Sequence, residues 1–266
     1  MGRVVSNAAI ATFLGLSLLG TASSLAQHAS LAPNPGSVAE QYLLAAANQE
    51  RLSRGLSPLR YDPQLARAAD FHAHAMAEHG TISHQFEGEA ALSQRGATAG
   101  VAFSVISENV GEAPNVVTIH DMWMHSEHHR SNLLDPAVDS AGIGVVVRGN
   151  EFYAVEDFAK TVRHVGLDQQ ESAIAGQIER VGRISIARDP NLVAAARQTC
   201  AMSSGFAGER RPWFVMRFTS DSLTALPDEL KSRINSPRYH QAVVGACPAT
   251  QQGPFTAYNI AVLLYP

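Results

Sequence analysis

The chain has 266 residues and a formal net charge of −4 at pH 7, and it contains no block of basic residues. Nucleic acid is therefore not an expected partner. About 240 residues follow the first 26, which is enough for one large domain or two small ones.

The first 26 residues have the pattern of a signal peptide. Arg3 supplies a positive charge, residues 8–20 form a short apolar run, and Ser24-Leu25-Ala26 offers small residues for cleavage near Ala26. The run is too short to span a membrane, and no later stretch approaches 18 uncharged apolar residues. We therefore expect residues 1–26 to be removed and the protein to be secreted or periplasmic, without a transmembrane anchor.

Cysteine usage agrees with export. Cys200 and Cys247 are the only cysteines, and an even number in an exported chain predicts one disulfide.

Two helices are predicted next, each with a clear start signal. Ser37 and Glu40 form a capping box at the start of the first helix. Asp62 and Pro63 are the N-cap and first residue of the second helix, which Gly80 ends.

Strands and shorter helices follow in alternation. In chain order we predict a strand at 103–112, a helix opened by Pro114, a short helix capped by Ser126, and a hairpin of 141–147 and 152–158 that turns at Gly149-Asn150. Helices before and after a few antiparallel strands indicate an α+β layered domain.

The second half of the chain repeats this pattern weakly. Three pairs of segments are similar: 189–196 with 62–69, 236–240 with 126–130, and 254–264 with 152–158. We interpret this as a degenerate duplication with its boundary at 164–170. The alternative is two unrelated layered domains that share helix-start chemistry.

Eight of the eleven histidines lie between His72 and His129. Histidine is a common metal ligand and proton carrier at neutral pH, so the clustering indicates a functional region. The segment HAHAMAEH lacks the His-Glu-x-x-His spacing of a zincin. We interpret five of these histidines as ordinary surface or core-edge residues: His72, His74, His79, His120 and His125.

Several motifs in consistent order resemble one protein family. They are NQERLSRGLSPLRYDPQLARAADFHAHAMAEHGTISH, SENVG, WMHSEHHRSNLLDP and AGIGVVV. Over roughly residues 40–160 they resemble the bacterial branch of the CAP superfamily (cysteine-rich secretory proteins, antigen 5 and pathogenesis-related proteins). The resemblance implies a three-layer α-β-α sandwich with a central antiparallel sheet at 37–164. We expect a smaller, degenerate CAP-like α+β domain at 165–266.

The resemblance also implies a cleft lined by histidines and glutamates. His84 and His129 match the family histidines, and Glu108 matches the first glutamate. Ser126 stands at the position taken as the second glutamate. Glu127, one residue later, either restores the carboxylate or faces solvent, and we favour solvent because one residue rotates a helical side chain by about 100°.

Structural roles are predicted for the other motif residues. Asn109 is expected to bond backbone groups beside the cleft, Trp123 to pack the helix on the sheet, and Arg130 to pair with a carboxylate. Asn132 and Asp135 are interpreted as caps. In the second half only His240 corresponds to a cleft histidine, so we expect that half to be catalytically silent and to cover the first or form part of a binding surface.

Three functions remain open at this point. The leading one is an exported binding protein in which His84 and His129 hold a divalent metal, zinc or magnesium, beside a small-molecule, lipid-like or cell-envelope ligand. The second is a metal-dependent hydrolase of peptides or wall components with Glu108 as general base. The third is a structural partner-binding module.

Overall fold

A computed structural model of the chain describes residues 36–248 and 254–266. The predicted signal peptide lies outside these residues. Within the described part of the chain, no helix is both long enough and apolar enough to cross a membrane.

Residues 37–164, the first half, contain five helices and four strands among the described residues. In chain order they are α1 Val38–Ser53, β1 Arg60–Tyr61, α2 Pro63–His79, α3 Leu92–Thr98, β2 Phe103–Ala113, α4 Val116–His125, α5 Glu127–Leu133, β3 Ser140–Arg148 and β4 Glu151–Thr161.

The start signals of the long helices are confirmed. The Ser37 hydroxyl accepts from the backbone N–H of Glu40, and the Glu40 carboxylate accepts from that of Ser37, as a capping box requires. The Asp62 carboxylate caps α2, which ends at Gly80 in the left-handed conformation. The start of α4 differs from the prediction: Asn115 caps it, because an asparagine oxygen accepts a backbone N–H hydrogen bond.

The four strands of the first half form one sheet in the order β1-β3-β4-β2. β4 pairs antiparallel with both β3 and β2, and the β3–β4 hairpin turns at Gly149 and Asn150 as predicted. The short β1 pairs with β3 in parallel, so the sheet is mixed rather than wholly antiparallel.

Helices cover both faces of this sheet, which confirms the three-layer sandwich. On one face α1 and α4 pack on the strands through a buried cluster that includes Leu43, Ile119 and Trp123. On the other face α2 packs on them through a cluster that includes Met76 and Val110. Each layer buries the apolar stripe of its helices against the sheet.

Arg51 fastens α1 to the segment that follows α5. Its side chain is 1% exposed and donates to the backbone carbonyls of Leu133, Asp135 and Val138. A buried guanidinium needs such acceptors, and these bonds fix the position of α5.

Residues 165–266, the second half, contain a smaller set of elements. They are α6 Leu167–Val181, β5 Ser185–Ile186, α7 Pro190–Cys200, β6 Phe214–Ser220, α8 Asp228–Ile234, β7 Gln241–Cys247 and β8 Tyr258–Tyr265. The sheet order is β5-β7-β8-β6, with β5 parallel to β7 and the other pairs antiparallel. This is the order and direction of the first sheet.

The two halves also share a close helix–strand contact. A Cβ added to Gly144 of β3 would lie 2.4 Å from the backbone nitrogen of Asp70 in α2. A Cβ added to Gly245 of β7 would lie 2.3 Å from the backbone nitrogen of Arg197 in α7. Glycine at both positions lets a helix approach its sheet directly.

The disulfide between Cys200 and Cys247 is confirmed, with the two Cα atoms 5.7 Å apart. It joins the end of α7 to the end of β7, within the second half. The described residues form one compact unit, and the division into domains at 37–164 and 165–266 stays a proposal.

The structure differs from the sequence analysis in two details. Residues 236–240 follow α8 and are not helical, whereas their partners 126–130 begin α5. The helix α3 was not predicted, because its sequence LSQRGAT carries a central glycine and no side-chain cap.

Candidate functional site

A histidine and a buried glutamate meet beside the end of α2. His84 lies in the loop after α2, and Glu108 lies on β2 with 4% of its surface exposed. The Nδ1–H group of His84 donates a hydrogen bond of 2.8 Å to Oε1 of Glu108. Two of the residues predicted for the cleft are therefore in direct contact.

Arg95 of α3 holds the other oxygen of Glu108. One guanidinium nitrogen of Arg95 donates to Oε2 of Glu108, and both side chains are almost fully buried. A second nitrogen donates to the backbone carbonyls of His84 and Ala90, at 3.2 and 3.1 Å. Arg95 therefore neutralises Glu108 and also fixes the loop that carries His84.

His72 and Glu89 extend this network beneath the loop. His72 is fully buried, with Nδ1 at 2.7 Å from Oε1 of Glu89 and Nε2 at 2.6 Å from the Ser83 carbonyl oxygen. Both ring nitrogens of His72 therefore lie within hydrogen-bond distance of acceptor oxygens. The interpretation of His72 as an ordinary helix residue was wrong.

Asp157 adds a third carboxyl group to this face of the sheet. It lies on β4 directly opposite Glu108 and is fully buried. Burial raises the pKa of Asp157 well above its usual value, the charge of Glu108 raises it further, and Arg95 opposes the change. The protonated form is therefore favoured, because a second uncompensated carboxylate would be costly there.

Glu156 lies on the opposite face of β4 and is also fully buried. No hydrogen bond reaches either of its carboxyl oxygens within the described residues. Burial raises the pKa of Glu156 to about 8.

Two asparagines connect α5 to β2. Nδ2 of Asn109 donates to the His129 carbonyl oxygen at 3.0 Å, as the predicted backbone role requires. Nδ2 of Asn132 donates to the Glu108 carbonyl oxygen at 3.1 Å and to Oδ1 of Asn109 at 3.0 Å. Asn132 is therefore a bridge to the site and not a cap. Arg130 donates to the Met124 carbonyl oxygen, and no carboxylate pairs with it among the described residues.

The rings of His84 and His129 have opposite pKa shifts. The hydrogen bond to Glu108 raises the pKa of His84, although burial and Arg95 oppose it. Burial lowers the pKa of His129, and the charges of His128 and His84 lower it further. The charge of His84 therefore contributes to the lowered pKa of His129, although 45 residues separate them in sequence.

Ser126 and Glu127 precede His129 at the start of α5. Ser126 is the N-cap residue, but its side chain makes no capping hydrogen bond. Glu127 is exposed. Across residues 36–248 and 254–266, no group of three or more His, Cys, Asp or Glu side chains is arranged to hold a metal ion.

The remaining helix histidines lie apart from this network. His74 and His125 are exposed and lie within 4 Å of the aspartates one helical turn earlier. His79 stacks on Phe86 with ring centroids 4.1 Å apart. Burial lowers the pKa of His120. These four fit the structural roles predicted for them.

Sequence reasoning missed four residues of the network: His72, Glu89, Arg95 and Asp157. Glu89 and Arg95 lie in a loop and a helix that no pattern predicted. One signal was available in β4, where the apolar run FYAVEDF contains two adjacent acidic residues. A strand buried on both faces places such residues in the interior.

Comparisons with known proteins support one family. Residues 44–162 match the family model of the cysteine-rich secretory protein family, CAP. The uncharacterised protein YkwD of Bacillus subtilis is 28% identical over 120 residues, which are 45% of this chain and 47% of that protein. The chain therefore spans about half the length of that curated relative.

Two solved structures are also similar to part of the chain. A cysteine-rich secretory protein from Staphylococcus aureus is 30% identical, with a TM-score of 0.37, over 45% of this chain and 38% of that one. An extracellular protein containing an SCP domain from Bacillus anthracis is 24% identical, with a TM-score of 0.43, over 48% of this chain and 45% of that one.

Proposed function

We propose that the first half, whose residues 44–162 match the model of the cysteine-rich secretory protein (CAP) family, is an exported binding module of that family. Its cleft holds a divalent cation through His84 and His129. The observation that carries the proposal is the hydrogen bond from His84 to the buried Glu108, which Arg95 anchors from behind.

This hydrogen bond prepares His84 as a ligand. A carboxylate that accepts from one ring nitrogen fixes the tautomer and orientation of a metal-binding histidine, and it makes the other nitrogen more basic. In His84 the bonded nitrogen is Nδ1, so Nε2 is left for a ligand. The side chain is 54% exposed, so the ring remains accessible.

His129 is suited to the same task for a different reason. Its lowered pKa favours the neutral imidazole, which is the form that binds metal. Asn109 holds its backbone, and no hydrogen bond occupies the ring within the described segments.

The donor atoms favour zinc over magnesium. Two imidazole nitrogens suit zinc, whereas magnesium prefers oxygen ligands. Both oxygens of Glu108 are already bound, so this residue orients His84 and does not ligate directly. A cation held by two histidines has open coordination positions. Water, or an oxygen atom of a small-molecule, lipid-like or cell-envelope ligand, could take these positions, and the cation would polarise that oxygen.

The hydrolase alternative has weaker support. A general base needs a carboxylate that is free to accept a proton from water. Glu108 is bonded to His84 through Oε1 and to Arg95 through Oε2. Glu108 therefore fits a positioning role better than the role of a base.

Export is part of the proposal. It rests on the signal-peptide pattern of residues 1–26. The disulfide between Cys200 and Cys247 adds support, because such bonds form in oxidising compartments.

Thermal unfolding with zinc tests the proposal. At 100 times the dissociation constant, zinc should stabilise the folded state by about 2.7 kcal/mol, which is roughly 5–10 °C for a chain of this size. The effect should fade as pH falls through the histidine range, because protonated imidazole does not ligate.

The double variant His84→Ala with His129→Ala should lose this shift. The matched control, His74→Ala with His125→Ala, removes two exposed helix histidines and should keep it. Equal loss in both double variants would mean that zinc binds a surface cluster, and the proposed site would be wrong.

A further inference from the structure

We propose that a cleft between the two halves binds a small oxyanion, a molecule that carries phosphate or several carboxylate groups. The cleft has a volume of about 480 Å³, which is within the usual range for small-molecule sites. The first half contributes Arg60, Asp139, Thr161 and Arg163, and α6 and the loop after β6 contribute the opposite wall. We call it the inter-half cleft.

The two carboxylates of the inter-half cleft are already neutralised. Asp139 accepts from Arg60 and from the hydroxyl and backbone N–H of Thr161. Asp221 lies 2.6 Å from Nζ of Lys160, and this contact lowers the pKa of Asp221. Neither acid therefore leaves an unbalanced negative charge in the cleft.

Two arginines of the inter-half cleft keep unbalanced positive charge. Arg163 and Arg180 line it from opposite halves, and no ion pair of either arginine is found among the described residues. Nε of Arg180 donates to the Gly176 carbonyl oxygen, which leaves its two terminal nitrogens available. The Arg163 backbone is fixed by a hydrogen bond from the Tyr258 hydroxyl.

The remaining donors suit oxygen-rich ligands. The carboxamides of Gln169 and Gln177 line the same cleft and make no hydrogen bond within the described parts of the chain. Guanidinium groups bind phosphate and carboxylate in a planar, two-bonded geometry. A positive cleft on a chain whose net charge is −4 therefore selects a small anion with several oxygen atoms.

This proposal does not depend on the cation site. None of its residues belongs to the network of His84 and Glu108, so either proposal can fail alone. It assigns the second half a role, because that half supplies Arg180 and both glutamines. A ligand that contacts Arg163 and Arg180 would hold the two halves together.

Titration calorimetry with pyrophosphate and with citrate tests the proposal on metal-free protein at 150 mM salt. We expect one binding site per chain. The double variant Arg163→Gln with Arg180→Gln should weaken binding by at least about tenfold, because charge-assisted hydrogen bonds are lost. Binding of pyrophosphate alone assigns a phosphate ligand, and binding of citrate alone assigns a polycarboxylate.

The matched control is Arg211→Gln with Arg238→Gln. These two arginines line a different surface pocket of about 360 Å³, and the change in net charge is the same. The control should bind like the unmodified protein. Equal weakening in both double variants, or no binding of either anion to the unmodified protein, would overturn the proposal.

Discussion

The two halves of the chain have one framework but different chemistry. Their sheets have the same strand order and pairing directions, and a helix contacts a strand glycine at Gly144 in one and at Gly245 in the other. Both helices follow an Asp-Pro start. These shared features support the proposed duplication.

Counting from the two glycines relates the strands residue by residue. Gly144 pairs across to Val155, and Gly245 pairs across to Ala261. Two residues further along are Asp157 in β4 and Leu263 in β8. Asp157 pairs with Glu108 of β2, and Leu263 pairs with Val215 of β6. By the same count, Asn109 and Glu156 correspond to Met216 and Val262.

Four polar positions of the first half are thus apolar in the second. In the first half Glu108 is paired with the buried Arg95, Asn109 is bonded to α5, and burial raises the pKa of Glu156 and of Asp157. In the second half, Val215, Met216, Val262 and Leu263 need no partners. The comparison teaches that this fold does not require the polar cluster, which indicates a functional reason for it.

The largest expected effect comes from removing the central counter-charge. Arg95→Met would leave Glu108 and Glu89 buried without it, at a cost of about 3–5 kcal/mol in the free energy of unfolding. In the second half, Arg197→Met removes an arginine that is 39% exposed and pairs with Asp168 and Glu171. There we expect about 1 kcal/mol.

Urea unfolding of both variants measures this difference. A cost for Arg95→Met no larger than that for Arg197→Met would mean that the buried network does not depend on its arginine.

The disulfide should stabilise the second half more than the first. Its partners are 47 residues apart, and a loop of that length implies about 4 kcal/mol of stabilisation. Reduction should therefore raise amide hydrogen exchange in α7, β7 and β8 more than in β2 and β4. A variant with Cys200→Ser and Cys247→Ser should not respond to reductant. An equal increase of amide exchange in both halves upon reduction would contradict the prediction that the disulfide stabilises mainly the second half.

Glu156 should make the stability of the first half depend on pH. Its pKa is about 8 in the folded state against 4.5 ordinarily, so the unfolded chain releases the proton first. Stability is therefore full below about pH 4.5 and is lost as pH rises toward 8. At pH 7 the loss is about 3 kcal/mol.

Glu156→Gln should remove this pH dependence and stabilise the protein at pH 7. Glu112 and Glu151 are only partly buried, so neither is a matched control for Glu156, and the unmodified protein is the reference. Unfolding curves between pH 4.5 and 8 test this. An unchanged slope in Glu156→Gln would show that Glu156 is ionised in the folded state.

The smallest expected effect concerns the carboxylate beside the cleft. Glu127 is exposed, so Glu127→Gln should leave the zinc-induced shift in melting temperature unchanged. Glu108→Gln should reduce the shift, because the amide does not orient His84 as a carboxylate does. If Glu127→Gln reduced it as much, Glu127 would be a member of the site.

Sequence alone was informative where the signal is local. Three local features were predicted from residues close together in sequence: the caps at Ser37 and Asp62, and the hairpin turn. The cysteine pair was predicted from the oxidising compartment that an exported protein enters. The contact of His84 with Glu108 followed from motif resemblance. The roles of Arg95 and Asp157 could not be predicted, because they arise only when α3 and β4 pack beside β2.

Anomalous diffraction at the zinc edge, from crystals of the mature chain grown with zinc, is the most direct test of the cation site. We expect one strong peak about 2.0–2.1 Å from a ring nitrogen of both His84 and His129, with Glu108 still bonded to Nδ1 of His84. A peak on other histidines, or rings of His84 and His129 more than about 8 Å apart with no rotamer that closes the gap, would contradict it.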